Sequence, residues 1–120
     1  MYMRQRKFII LKDWSGKNVK IRIGYPIYHR DLFEKSDEKA GYDVHGGGRW
    51  DLDYDNKTIT LYGQSDDFGK PDKKDVEKAL KNINDHDWFM LEWQCERIFE
   101  KELPDADFSD LKNYKFDIKY

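Results

Sequence analysis

A single cysteine, Cys95, among 120 residues excludes an intrachain disulfide and a thiolate cage for zinc. The longest apolar run, Phe8-Ile9-Ile10-Leu11, falls far short of the roughly 20 residues that span a bilayer. Neither charge sign is in excess: 22 Lys and Arg face 24 Asp and Glu, for a formal net charge of −2. Basic footprints for nucleic acid or for an anionic membrane surface are therefore lacking. The chain opens without a basic, apolar, small-residue signal pattern, so a cytoplasmic protein is the expectation. Internal repeats, low-complexity blocks and Pro/Gly/Ser-rich linkers are absent, and no His/Asp/Glu set has metal-ligand spacing. No cofactor is expected.

What the sequence does have is aromatic residues. Phe, Tyr and Trp make up 16% of a chain whose hydrophobic and charged fractions are both 38%. Such rings supply large packing units that a disordered polar chain would lack. The length suits one domain, residues 1–120, with one core. Cys95, downstream of Trp88-Phe89-Met90-Leu91, reads as a buried apolar residue.

The segment Arg4 to Lys12 and the alternating Val19-Lys20-Ile21-Arg22-Ile23 predict a hairpin turning at Ser15-Gly16-Lys17. Leu32, Phe33, Ser36 and Ala40 fall at helical spacing, with Asp31 and Glu34 early and Gly41 placed as a C-terminal stop. A helix from about Ile27 to Ala40 is expected. A second hairpin joins Tyr42–Asp53 to Thr58–Tyr62 through Tyr54-Asp55-Asn56-Lys57. After Pro71-Asp72, Val76, Ala79, Leu80 and Ile83 repeat at i, i+3, i+4 and i+7, the stripe of an amphipathic helix. Trp88 to Trp93 reads as a further strand and His86 as a solvated loop residue. Lys115 to Tyr120 alternates again. Together these predict an α/β (α+β) fold, a mixed sheet of about six strands packed with two helices.

Three places carry candidate chemistry. His29 enters a helix, where exposed backbone N–H groups favour anions, or else it packs half-exposed beside Phe33. Gly46-Gly47-Gly48 interrupt a strand at a cost of about 0.5–1 kcal/mol each, so either a bulge or a close approach by another group is expected there. Arg49 follows directly. Gly63-Gln64-Ser65-Asp66-Asp67-Phe68-Gly69 leaves a strand with small residues that could present backbone N–H groups as an anion nest, or form an ordinary capped loop.

In order, these segments resemble the Janus/Ocnus family of protein histidine phosphatases. Tyr28-His29-Arg30-Asp31-Leu32-Phe33-Glu34-Lys35 is similar to the family's stretch of an aromatic residue and a histidine entering a helix. Gly46-Gly47-Gly48-Arg49 matches its Gly-Gly-Gly-Arg element, Tyr62-Gly63-Gln64-Ser65 its Tyr-Gly-x-Ser, and Lys7-Phe8-Ile9-Ile10-Leu11 its first strand. The resemblance spans about residues 7–94 and leaves 95–120 as an extension. It implies a phosphohistidine phosphatase-like fold and a metal-independent enzyme that removes phosphate from phosphohistidine in a protein or small molecule. His29 is then the catalytic residue, Lys7, Arg49, Arg30, Ser65, Asp66 and Asp67 contact phosphate, and the three glycines shape the loop.

Loose phosphoryl-transfer transition states ask for little more than an in-line nucleophile or base and charge on the equatorial oxygens. Imidazole, with an ordinary pKa near 6.5, is largely neutral at pH 7 and suits either role. Two departures stand out. A second pocket arginine of the family has no gap-free counterpart, with Arg22 and Lys20 as available cations. Asp66 and Asp67 also place two acids where the resemblance leads one to expect uncharged residues. The alternative they raise is a non-catalytic phosphate- or phosphopeptide-binding module on the same fold.

Overall fold

Backbone pairing in the computed structural model, which describes residues 4–34 and 41–120, follows directly from the alternation of the sequence. Strand β1 (Lys7–Asp13) pairs antiparallel with β2 (Val19–Gly24) on one side and with β3 (Tyr42–Asp53) on the other. Beyond β3 lie β4 (Thr58–Tyr62), antiparallel, and then β5 (Lys115–Ile118), parallel to β4. The sheet is thus mixed, in the order β2-β1-β3-β4-β5.

Because side chains alternate across a strand, register assigns each face its task. Phe8, Ile10, Trp50, Ile59 and Leu61 enter the core cluster. On the opposite face Lys7 pairs with Arg49, Ile9 with Gly47, and Arg49 with Tyr62. Helix α1 (His29–Glu34) lies over this second face: Leu32 packs against Gly24, and His29 against Gly47. Of the expected Ile27–Ala40 helix, Ile27 and Tyr28 lie ahead of the first turn, and residues 35–40, with Ser36 and Ala40, lie outside the described residues.

Helix α2 (Lys73–Lys81) buries Val76 and Ala79 and is capped by Asp72, whose side chain accepts from the Lys74 N–H at 3.2 Å. Helix α3 (Asp85–Ile98) buries Leu91 and Cys95. Here the expectation of a strand at Trp88–Trp93 is corrected. An unbroken apolar run has no period of its own, whereas Asn84 caps the segment by accepting from the Asp87 N–H at 2.8 Å, with Asp85 and Asp87 in the first turn. As a helix the run is divided: Leu91 faces the core while Phe89, Met90 and Trp93 remain exposed. His86 correspondingly sits in a helical turn and not in a loop. The described residues therefore hold five strands and three α-helices, where about six strands and two helices were expected. No helix among them is long and apolar enough to cross a membrane.

The glycine triplet is a bulge and a close approach at once. Register between β1 and β3 slips between Ile9 and Leu11, and Gly46 there adopts φ +100° with its Cα packed on Pro71. A Cβ on Gly47 would lie 2.6 Å from the Phe8 carbonyl and 3.0 Å from His29 Cδ2. Gly48 faces the other way, against the Tyr62 carbonyl and the Tyr120 hydroxyl.

Candidate functional site

The first turn of α1 is set by Asp31, whose carboxylate accepts the Tyr28 N–H at 3.1 Å, the returning half of a capping box. This fixes the turn that carries His29. His29 is buried, and its Nε2 lies 2.7 Å from the Gly48 carbonyl oxygen. A carbonyl only accepts, so Nε2 carries the proton and Nδ1 holds the lone pair. Nδ1 has no hydrogen-bond partner among the described residues. Burial lowers the imidazole pKa, and the charges of Lys7 and Arg49 act in the same direction; the Gly48 hydrogen bond and Asp67 oppose them. A neutral ring at pH 7 is the net result.

Two cations stand side by side next to it. Lys7 and Arg49 are cross-strand partners. Lys7 donates from Nζ to the Ile27 carbonyl just before α1, which aims the ammonium at the helix entry. Its pKa is lowered by burial and by Arg49, and raised by Asp66, Asp67 and Asp31. The Arg49 side chain is exposed, and no carboxylate among the described residues pairs with it. Arg30 is turned onto the Tyr28 ring, its guanidinium 4.5 Å from the ring centroid, and the same ring lies 6.0 Å from Lys7 Nζ.

Ser65 organises the loop after β4. It is buried, its N–H donates to the Gly47 carbonyl at 2.9 Å, and its Oγ accepts the N–H groups of Asp67 and Phe68 at 3.2 and 3.1 Å. The Gly47 N–H donates in turn to the Gly69 carbonyl at 3.0 Å. This network ties the loop to the glycine on which the His29 ring rests. It also engages most of the donors that an anion nest would need. Asp66 and Asp67 are exposed at the loop's tip, and both act electrostatically on Lys7.

The structure therefore gathers His29, Lys7, Arg49, Ser65, Asp66, Asp67 and the glycines into one locality, with Arg30 at its edge on Tyr28. Such a set can hold a dianion between Lys7 and Arg49 and offer it an unprotonated ring nitrogen. Arg22 and Lys20, the alternative cations, point elsewhere: Arg22 pairs with Asp87 at 3.6 Å and Lys20 lies over the Tyr42 ring. Among the described residues no three His, Cys, Asp or Glu side chains converge on a point that could hold a metal ion. Sequence reasoning missed Arg4 and Arg6, which with Tyr62 line a cleft beside Arg49. The only signal of these two arginines was the crowding of basic residues ahead of β1. It also missed Tyr120, behind Gly48.

The family model of Janus/Ocnus (Ocnus) matches residues 9–87, about two thirds of the chain. That span contains His29, Arg49 and the Ser65 loop; Lys7 lies two positions before it. No curated protein matches the chain.

Proposed function

The chain belongs to the Janus/Ocnus family, and from that premise we propose that it is a metal-independent phosphatase acting on phosphohistidine, a phosphoramidate, in proteins or small molecules. The observation that carries this reading is the His29 Nε2 to Gly48 hydrogen bond, which fixes the tautomer and leaves Nδ1 as the reactive nitrogen. Lys7 and Arg49 would neutralise the equatorial oxygens of the phosphoryl group as it leaves the substrate nitrogen. Nδ1 would either accept the phosphoryl group itself or take the proton of an attacking water. Both roles need the neutral ring that burial favours.

A second reading, a non-catalytic phosphopeptide-binding module, draws on Asp66 and Asp67, whose negative charge reaches Lys7 and weakens the field on a bound phosphate. Release of inorganic phosphate from a phosphohistidine peptide incubated with the purified protein, without added metal, decides between the two. Turnover supports the phosphatase; saturable binding without release supports the module.

A further inference from the structure

Beside Arg49, on the side of the N-terminal segment, lies a cleft of about 260 Å³ whose lining includes Arg4, Arg6, Tyr25, Arg49, Asp51 and Tyr62. Its charges are unequally satisfied. Arg6 is committed: its Nη2 lies 2.9 Å from Asp51 Oδ1 and its Nε donates to the Trp50 carbonyl at 3.1 Å. The pKa of Tyr62 is raised by burial and by the negative charge of the same Asp51. Arg4 donates one guanidinium N–H to the Tyr25 carbonyl at 3.2 Å. No carboxylate among the described residues lies within ion-pair distance of Arg4 or Arg49. Two guanidinium forks, Arg4 and Arg49, thus share a concave surface whose lining carboxylate, Asp51, is already held by Arg6.

We propose that this cleft is a subsite for the carboxylate of an acidic residue flanking the phosphorylated residue of a protein substrate. The inference rests on the phosphatase or phosphopeptide reading of the neighbouring site and gives that site a sequence preference. Three features select the ligand. The volume lies below the ≈ 300–1,000 Å³ of pockets that take a whole small molecule or cofactor, and so suits one side chain. Planar forks match carboxylate geometry two bonds at a time. Arg49 borders both the cleft and the His29 site, so an occupant must be tolerated beside a bound phosphoryl dianion. A singly charged carboxylate is repelled less by that neighbour than a second phosphate would be. Continuity through Arg49 also means that one extended segment can fill both places.

The test measures binding of peptides carrying a phosphonate analogue of phosphohistidine, with glutamate or glutamine placed in turn at each flanking position, to the wild type and to Arg4→Gln. Arg4 is exposed and outside the core, so the variant should keep the wild-type circular dichroism and thermal midpoint. The wild type should bind the best glutamate peptide about tenfold more tightly than its glutamine counterpart, the gain of one charge-assisted hydrogen-bonded pair. That preference should disappear in Arg4→Gln and return in part in Arg4→Lys. Equal affinity of glutamate and glutamine peptides at every position in the wild type overturns the subsite, as does a preference that survives intact in Arg4→Gln. Turnover of the native phosphohistidine peptides is followed in parallel. An Arg4-dependent glutamate preference without turnover leaves the subsite standing while the phosphatase reading fails.

Discussion

His29 Nε2 and the Gly48 carbonyl oxygen are 2.7 Å apart, so a histidine on a short helix is locked to the backbone of a strand nineteen residues later in the chain. The contact is possible because Gly47 lacks a Cβ beneath the ring, and it leaves Nδ1 as the nitrogen that keeps its lone pair.

Removal of that vacancy should therefore act on both fold and chemistry. In Gly47→Ala the new methyl carbon would stand 2.6 Å from the Phe8 carbonyl, a backbone atom, and 3.0 Å from the His29 ring. Overpacking of this kind costs about 1–3 kcal/mol. Urea unfolding should show a lowered midpoint, and kcat should fall as the ring is displaced. An unaltered midpoint with wild-type kcat would show that the strand shifts freely at Gly47.

Lys7 and Arg49 should act mainly on developing charge. Arg49→Ala is expected to lower kcat/KM by ~10²-fold or more, with a stability change within about 0.5 kcal/mol because the side chain is exposed. Lys7→Met should lose activity similarly. Inhibition by inorganic phosphate should weaken in parallel for both. Unchanged phosphate inhibition in Arg49→Ala would remove that residue from the site.

The pH dependence follows from the lowered His29 pKa. Because the folded protein binds this proton less readily than the unfolded chain, His29 contributes stability in full above the unfolded value near 6.5. That contribution is lost as the pH falls through and below it. The acid limb of kcat/KM should accordingly lie below pH 6.5, and in His29→Gln the stability loss over the same range should flatten. An acid limb above pH 6.5 would contradict a buried, cation-flanked ring.

Asp67 pulls the other way, raising the pKa of both His29 and Lys7. In Asp67→Asn the acid limb should move to lower pH and inorganic phosphate should bind more tightly, by up to about tenfold, or ~1.4 kcal/mol. Phosphate titration of the variant checks this. An unchanged affinity would place the carboxylate outside the field of the bound anion.

Both hairpins, α2 and the bulge at the glycines were legible because each is specified by neighbours in sequence: alternation on either side of a turn, a periodic apolar stripe behind a cap, three residues without Cβ in a strand. Trp88–Trp93 was misread because an apolar run is silent about period, and only the Asn84 cap distinguishes its helix. The candidate site was legible as His29 at a helix entry, Arg49 directly after the glycines of a strand, and the Ser65 loop at a strand's end. Its outer parts were not. Pairing of β5 with β4 spans most of the C-terminal half, so nothing local announces that Tyr120 will pack on Gly48. The loop's apparent anion nest also proved largely occupied, since Ser65 Oγ takes the Asp67 and Phe68 N–H groups and Gly47 takes that of Ser65.

The most direct test of the central claim is the kcat/KM for a phosphohistidine peptide, measured in EDTA, of the wild type and of His29→Ala with matching circular dichroism. Turnover by the wild type should be insensitive to the chelator, and the variant should lose several orders of magnitude. Near wild-type turnover by a folded His29→Ala protein, or wild-type activity that vanishes in EDTA and returns with zinc or magnesium, would contradict it.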